Sequence, residues 1–284
     1  MTATGSAQPA PEALRWAAEA TGGAPLHARR LAGGTHAATH LLTTADGSGA
    51  YVLRRFPAGD SAADREARVL PVLDGLDGFA PRLVAADPLG ERTGAPSVLI
   101  TRLPGRADIR PADAGAAAAR LGRALARLHA VPTAALEGFR DGMTAAHSPR
   151  TNFPEPDRLR LAAQPQVLTH YDFWSGNVLW QGAELTGVID WSGGCLAPRG
   201  FDVGWCRLDL ALLHGARAAD AFLAAYEDAA GRPVEDLARW DRYAVARSHR
   251  SVESWLPNYT DLGRTDLTTA SLRARHTSWG HAVG

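Results

Sequence analysis

The sequence contains no lysine; all thirty of its basic residues are arginine. Thirty acidic residues balance them, so the formal charge is zero. A protein that grips the phosphate backbone of nucleic acid, or an anionic membrane surface, needs a net basic face. That balance argues against both roles. A coding bias toward Arg, Ala and Gly accounts for the missing lysine. Cysteine is almost absent: Cys195 and Cys206 cannot build a disulfide framework, and a reducing cytoplasm is the expected compartment. No apolar run approaches the roughly 18 residues of a membrane span. The N-terminus lacks the charged-then-apolar pattern of a signal peptide, and no internal repeat is visible. At 284 residues the chain has room for one large domain or two lobes.

The chemistry concentrates between Val167 and Asp190, reading VLTHYDFWSGNVLWQGAELTGVID. Short apolar runs around a polar loop and Gly182 predict strand, loop, strand, turn, strand. Asp172 and Asn177 share the loop, and Asp190 ends the hairpin that follows, so folding back can return it toward Asn177. Phosphoryl transfer needs such a grouping. Magnesium takes oxygen ligands from one or two side chains plus phosphates, which suits Asn177 and Asp190. A further carboxylate, Asp172, can orient an acceptor hydroxyl and take its proton. An Asx-turn role for Asp172 would not explain the accompanying Asn177 and Asp190.

The pattern His170-x-Asp172-x-x-x-x-Asn177, followed by Ile189-Asp190-Trp191, resembles the catalytic signature of the aminoglycoside phosphotransferase family. That family also takes in choline, homoserine and fructosamine kinase relatives and is akin to protein kinases. The resemblance runs from about Leu31 to about Leu213. It implies an α+β, protein kinase-like, two-lobed fold. Residues 1–103 would form a nucleotide-binding lobe, a five-stranded antiparallel sheet with a helix. Residues 104–284 would form a mainly helical catalytic and acceptor lobe. It also implies ATP or GTP as co-substrate, Mg2+ as cofactor, a small-molecule hydroxyl as acceptor, and a monomer or homodimer.

Further residues follow from the resemblance. Backbone at Gly34 and Thr35 would face phosphates. Arg54, where many relatives carry lysine, would contact the α- and β-phosphates, because a permanently charged guanidinium is a bidentate phosphate ligand. Glu66 on the next helix would pair with Arg54. Thr101 C=O and Leu103 N–H would meet the base at the hinge. His170 would hold the loop, and Asp202 would cap a helix or accept catalytic-loop backbone. Helices are expected near residues 218–230, 234–258 and 267–281, walling the acceptor pocket, with Glu227, Asp241, Glu253 and Trp255 as candidate acceptor contacts. From Gly200 onward eleven acids face ten arginines, which does not advertise a polycation site. The leading acceptor is an antibiotic such as an aminoglycoside, giving resistance; the runner-up is a metabolic alcohol such as choline, a sugar or an amino alcohol; a third reading is no turnover at all, in a nucleotide-binding pseudokinase.

Overall fold

The computed structural model describes residues 8–31, 36–47, 49–146 and 152–284. The chain forms two compact units. The first runs to Gly105 and takes back Thr186–Gly193; the second holds Arg106–Leu185 and Gly194–Gly284.

In the first unit, helix α1 (Pro11–Ala20) opens with a proline in its first turn, where no intrahelical N–H is lost. Its residues Ala13, Trp16 and Ala17 fall on one face at helical spacing. They pack on Leu42, Leu53 and Leu99. Those leucines come from strands β2 (Ala38–Thr44), β3 (Ala50–Arg55) and β5 (Ser97–Thr101). With β1 (Leu26–Arg30) and β4 (Leu83–Asp87) they make an antiparallel sheet in the order β1-β2-β3-β5-β4. Side chains alternate across a strand. Leu53 therefore faces α1, and Arg54, next along β3, points to the opposite face. There it meets Glu66 of α2 (Ala62–Leu73).

The second unit begins with β6 (Arg106–Ala107), which pairs with β8 (Val178–Gln181). Helix α3 (Ala114–His129) is capped by the Asp113 carboxylate, which accepts the Ala116 N–H at 2.9 Å. The Pro-rich stretch after it holds short helices α4 (Gly142–Ala145) and α5 (Glu155–Ala162). Strand β7 (Gln166–Thr169) leads into the polar loop, and β9 (Glu184–Val188) carries the chain back to the first unit. β10 (Cys195–Pro198) returns antiparallel to β7.

Five helices complete this unit: α6 (Gly200–His214), α7 (Ala216–Ala230), α8 (Leu237–Ser248), α9 (Leu256–Asp261) and α10 (Thr269–Ala282). Almost every residue of α6 is buried, so it runs through the core. The single helix expected over residues 234–258 is broken. α8 stops at Ser248, whose hydroxyl donates back to Ala244 C=O at 2.8 Å. Ser251 N–H then turns onto Ser248 C=O, and α9 restarts with Pro257 in its first turn.

Helices α3 and α7 cross at Gly122. A Cβ there would lie 2.3 Å from the Phe222 carbonyl oxygen and 2.8 Å from Tyr226 N, both backbone atoms that cannot step aside. Gly122→Ala is expected to cost about 1–3 kcal/mol through overpacking. Urea unfolding checks it, and an unchanged midpoint would show that the helices can separate freely.

Candidate active site

After β7 the chain turns sharply. Tyr171 has φ +75°, a left-handed conformation that a bulky side chain adopts only where its surroundings impose it. Asp202 imposes it. This wholly buried carboxylate accepts the backbone N–H of His170 at 2.6 Å and of Tyr171 at 3.0 Å. Asp172 follows, exposed, with its carboxylate held from two sides. Trp205 Nε1 donates to Oδ1 at 3.0 Å, and Asn177 Nδ2 donates to Oδ2 at 3.3 Å and to the Asp172 backbone C=O at 2.9 Å. Asp209 then accepts the Ser175 N–H at 3.1 Å and hydroxyl at 2.7 Å, and the Tyr259 hydroxyl at 2.9 Å.

The three holding residues, 202, 205 and 209, are spaced i, i+3, i+7 on α6. That spacing places them on one helix face. The loop runs beside that face in the same order: His170 and Tyr171 at Asp202, Asp172 at Trp205, Ser175 at Asp209. The expectation that Asp202 accepts catalytic-loop backbone holds. Trp205 and Asp209 were not singled out in the sequence, although the Asp-x-x-Trp-x-x-x-Asp spacing was there to find. Burial pushes the Asp209 carboxyl up to about 6, against the pull of its bonds from Ser175 and Tyr259. His129 is a packing histidine, buried with Nδ1 2.8 Å from the Tyr226 hydroxyl.

In the first unit Arg54 joins two carboxylates. Its Nη1 donates to Glu66 Oε1 at 2.5 Å and its Nη2 to Asp190 Oδ1 at 2.6 Å. Arg54 is 6% exposed and Glu66 is fully buried. An ion in that setting is tolerable only when paired. Burial alone would lower the Arg54 pKa, but Asp190 and Glu66 outweigh it and hold the guanidinium charged. Burial pushes the Glu66 carboxyl up while Arg54 draws it down. The Arg54–Asp190 bond was not foreseen. Asp190 has φ +66°, and its Oδ1 also accepts the Ser192 hydroxyl at 2.7 Å. Arg65, one residue before Glu66, donates Nε to Ser192 C=O at 2.8 Å, so α2 holds this turn twice.

The other candidates divide. Gly34 and Thr35 lie outside the described residues. Thr101 ends β5, and Leu103 lies two residues on with its side chain against Gly187. Asp241 is withdrawn as an acceptor contact: it is 2% exposed and ion-paired with buried Arg207 at 3.0 Å. Glu227 closes the turn after α7, its Oε1 accepting the Val234 N–H at 2.8 Å. Glu253 is gripped by Arg273 through both oxygens, at 2.5 and 2.6 Å. Trp255 packs edge-on against Trp205, centroids 5.1 Å apart. Among the described residues no group of three His, Cys, Asp or Glu side chains could hold a metal ion. Asn177 of the second unit carries an amide oxygen and Asp190 of the first a carboxylate, each a hard oxygen donor. Nor is any described helix long and apolar enough to cross a membrane.

The family model for the phosphotransferase enzyme family, APH, matches residues 27–245. The chain belongs to this family. A homoserine kinase of Mesorhizobium japonicum is 30% identical over 211 residues, a match that spans 62% of this chain and 62% of that relative. Solved structures share the fold at lower identity. A Ralstonia eutropha JMP134 protein named as an aminoglycoside phosphotransferase aligns with a TM-score of 0.67 at 19% identity, covering 97% of each chain. A thermostable mutant of aminoglycoside phosphotransferase APH(4)-Ia, in complex with AMP-PNP and hygromycin B, aligns at 0.61 and 15%, covering 96% of this chain and 99% of that one. The fold of this phosphotransferase is therefore the two-lobed protein kinase-like one, with a five-stranded antiparallel sheet in one lobe and mainly helix in the other.

Asp209 gives the family member a measurable pH signature. Its carboxyl titrates near 3.8 when exposed and about 6 when folded, so the folded state binds the proton more tightly. The group's contribution to stability is complete below pH 4 and is lost as pH rises through 6. Asp209→Asn removes that dependence. Relative to wild type, the variant should gain on the order of 3 kcal/mol between pH 4 and pH 7 in urea unfolding. A stability difference that stays constant over this range would overturn the account.

Proposed function

We propose that this phosphotransferase moves the γ-phosphoryl group of ATP, or of GTP, to a hydroxyl of a small molecule, with magnesium as its metal. The observation that carries the reading is Asp172: an exposed carboxylate fixed by Trp205 and Asn177 in a loop anchored to the core. In this reading Asp172 orients the acceptor hydroxyl and takes its proton. Arg54 presents its fork to the α- and β-phosphates, and Glu66 keeps that fork oriented. Thr101 C=O and Leu103 N–H meet the base. Asn177 and Asp190 supply oxygens for magnesium, which when bound neutralises charge on the phosphoryl oxygens. A carboxylate has about four lone-pair sites, so the bonds of Arg54 and Ser192 to Asp190 Oδ1 do not exhaust it. The AMP-PNP bound by the APH(4)-Ia neighbour supports an adenine nucleotide.

For the acceptor, two observations favour a metabolic alcohol over an aminoglycoside. The curated relative is a homoserine kinase. In addition, Asp241 and Glu253, two of the candidate acceptor acids, are ion-paired with Arg207 and Arg273. Expression in an aminoglycoside-sensitive host should leave inhibitory concentrations unchanged. A selective rise for one drug would restore the antibiotic reading.

Asp172→Asn should fold, bind nucleotide and lose roughly 10²–10⁴-fold in kcat. Asp190→Ala should instead lose the magnesium dependence of nucleotide binding, read by calorimetry with and without the ion. An Asp172→Asn enzyme at near wild-type turnover would remove the proposal's foundation.

A further inference from the structure

Among the described residues no acid pairs with one cation beside Asp172. Arg247, half-buried on α8, lays its guanidinium 4.2 Å from the Trp205 ring, 4.4 Å from Tyr171 and 4.7 Å from Phe201. Arg140 stands 4.7 Å from the same Tyr171 ring. Two of these rings belong to the candidate active site: Tyr171 precedes Asp172, and Trp205 donates its N–H to it. One indole thus separates the Arg247 guanidinium from the Asp172 carboxylate.

The rings account for only part of what Arg247 needs. Stacking covers the faces of a planar guanidinium, whereas its five N–H donors point outward in the plane. Among the described residues none accepts from them. Asp202, Asp209 and Asp241 bond elsewhere: Asp202 to His170 and Tyr171, Asp209 to Ser175 and Tyr259, Asp241 to Arg207. Half-buried donors held rigidly by three aromatic rings form a pre-organised fork, and a planar fork matches a carboxylate in two parallel bonds. Pre-organisation also removes most of the entropy cost of fixing a long side chain.

We propose that Arg247, stacked on Tyr171, Phe201 and Trp205, binds a carboxylate of the acceptor, so that the substrate is a short hydroxy acid whose hydroxyl faces Asp172. This rests on the phosphotransferase reading above and narrows its acceptor class. The anion at Arg247 and the hydroxyl at Asp172 sit one indole apart, which suits a short chain bearing both groups. A neutral or polycationic alcohol would leave the fork unanswered, and a cation would be repelled by it. The reaction gains no new step: the acceptor oxygen bonds to the γ-phosphorus, the bond to the nucleoside diphosphate breaks, and the hydroxyl proton passes to Asp172.

The test uses matched acceptors that differ only in the carboxylate: L-homoserine against 3-aminopropan-1-ol, and 4-hydroxybutyrate against butane-1,4-diol, each with magnesium and ATP or GTP. The wild type should prefer at least one acid over its partner by roughly 10–100-fold in kcat/KM, the scale of a charge-assisted pair. Arg247→Gln should erase that preference mainly through KM, and Arg247→Lys should restore part of it. Arg242→Gln, on the same helix away from the rings, should leave the preference intact. The wild-type comparison stands even if an Arg247 variant fails to fold. Turnover that is equal on acids and alcohols, or a preference that survives Arg247→Gln, overturns the carboxylate site and leaves the phosphotransferase reading standing. No Asp172-dependent turnover on any alcohol or acid overturns both.

Discussion

A buried carboxylate accepting two consecutive backbone N–H groups is the constraint on which the catalytic loop depends. Asp202 lies in a helix with almost no exposed surface, so its charge has to be answered from within the protein. The N–H groups of His170 and Tyr171 answer it. The cost is the left-handed backbone at Tyr171, and the result is that Asp172 leaves the turn in one direction only. Trp205 and Asp209 extend the same attachment along the loop. Seven residues of helix rise about 10 Å, enough to keep step with the chain from Tyr171 to Ser175. The loop is therefore clamped along the rigid helix α6.

The other unit solves a related problem with opposite charges. Arg54 is the buried cation, and Glu66 and Asp190 are its partners. Strand alternation aims Arg54 away from the leucine core, and α2 brings Glu66 to it. Asp190 arrives from 136 residues further along the chain. A residue proposed to meet phosphates is thus held in place by two acids. Arg247 offers the contrast. It has aromatic company and, among the described residues, no acid, and for that reason we propose it as a place for a ligand's anion rather than a structural ion pair.

Much of this was legible beforehand because its signals are local. Alternation and helical spacing give the sheet strands and most helices, and the His170-to-Asn177 spacing fixes one loop whatever surrounds it. The helix expected over residues 234–258 failed because its pattern is continuous while Ser248 competes for its own backbone carbonyls. Asp241 was a plausible pocket acid because a sequence cannot say which way a helical carboxylate points. Arg207 decides it. Trp205 and Asp209 left a readable spacing behind Asp202, but only knowledge that α6 runs beside the loop gives that spacing meaning.

The sequence by itself determined the family, the two-part organisation and the short motif that carries Asp172 and Asn177, since each rests on residues close together in the chain. The tertiary structure alone decided which charges are spent on one another. That Arg54 takes Asp190, that Arg207 takes Asp241, and that Arg247 takes neither depends on distances between residues far apart in number. Those distances are set by packing, and composition or spacing along the chain cannot encode them.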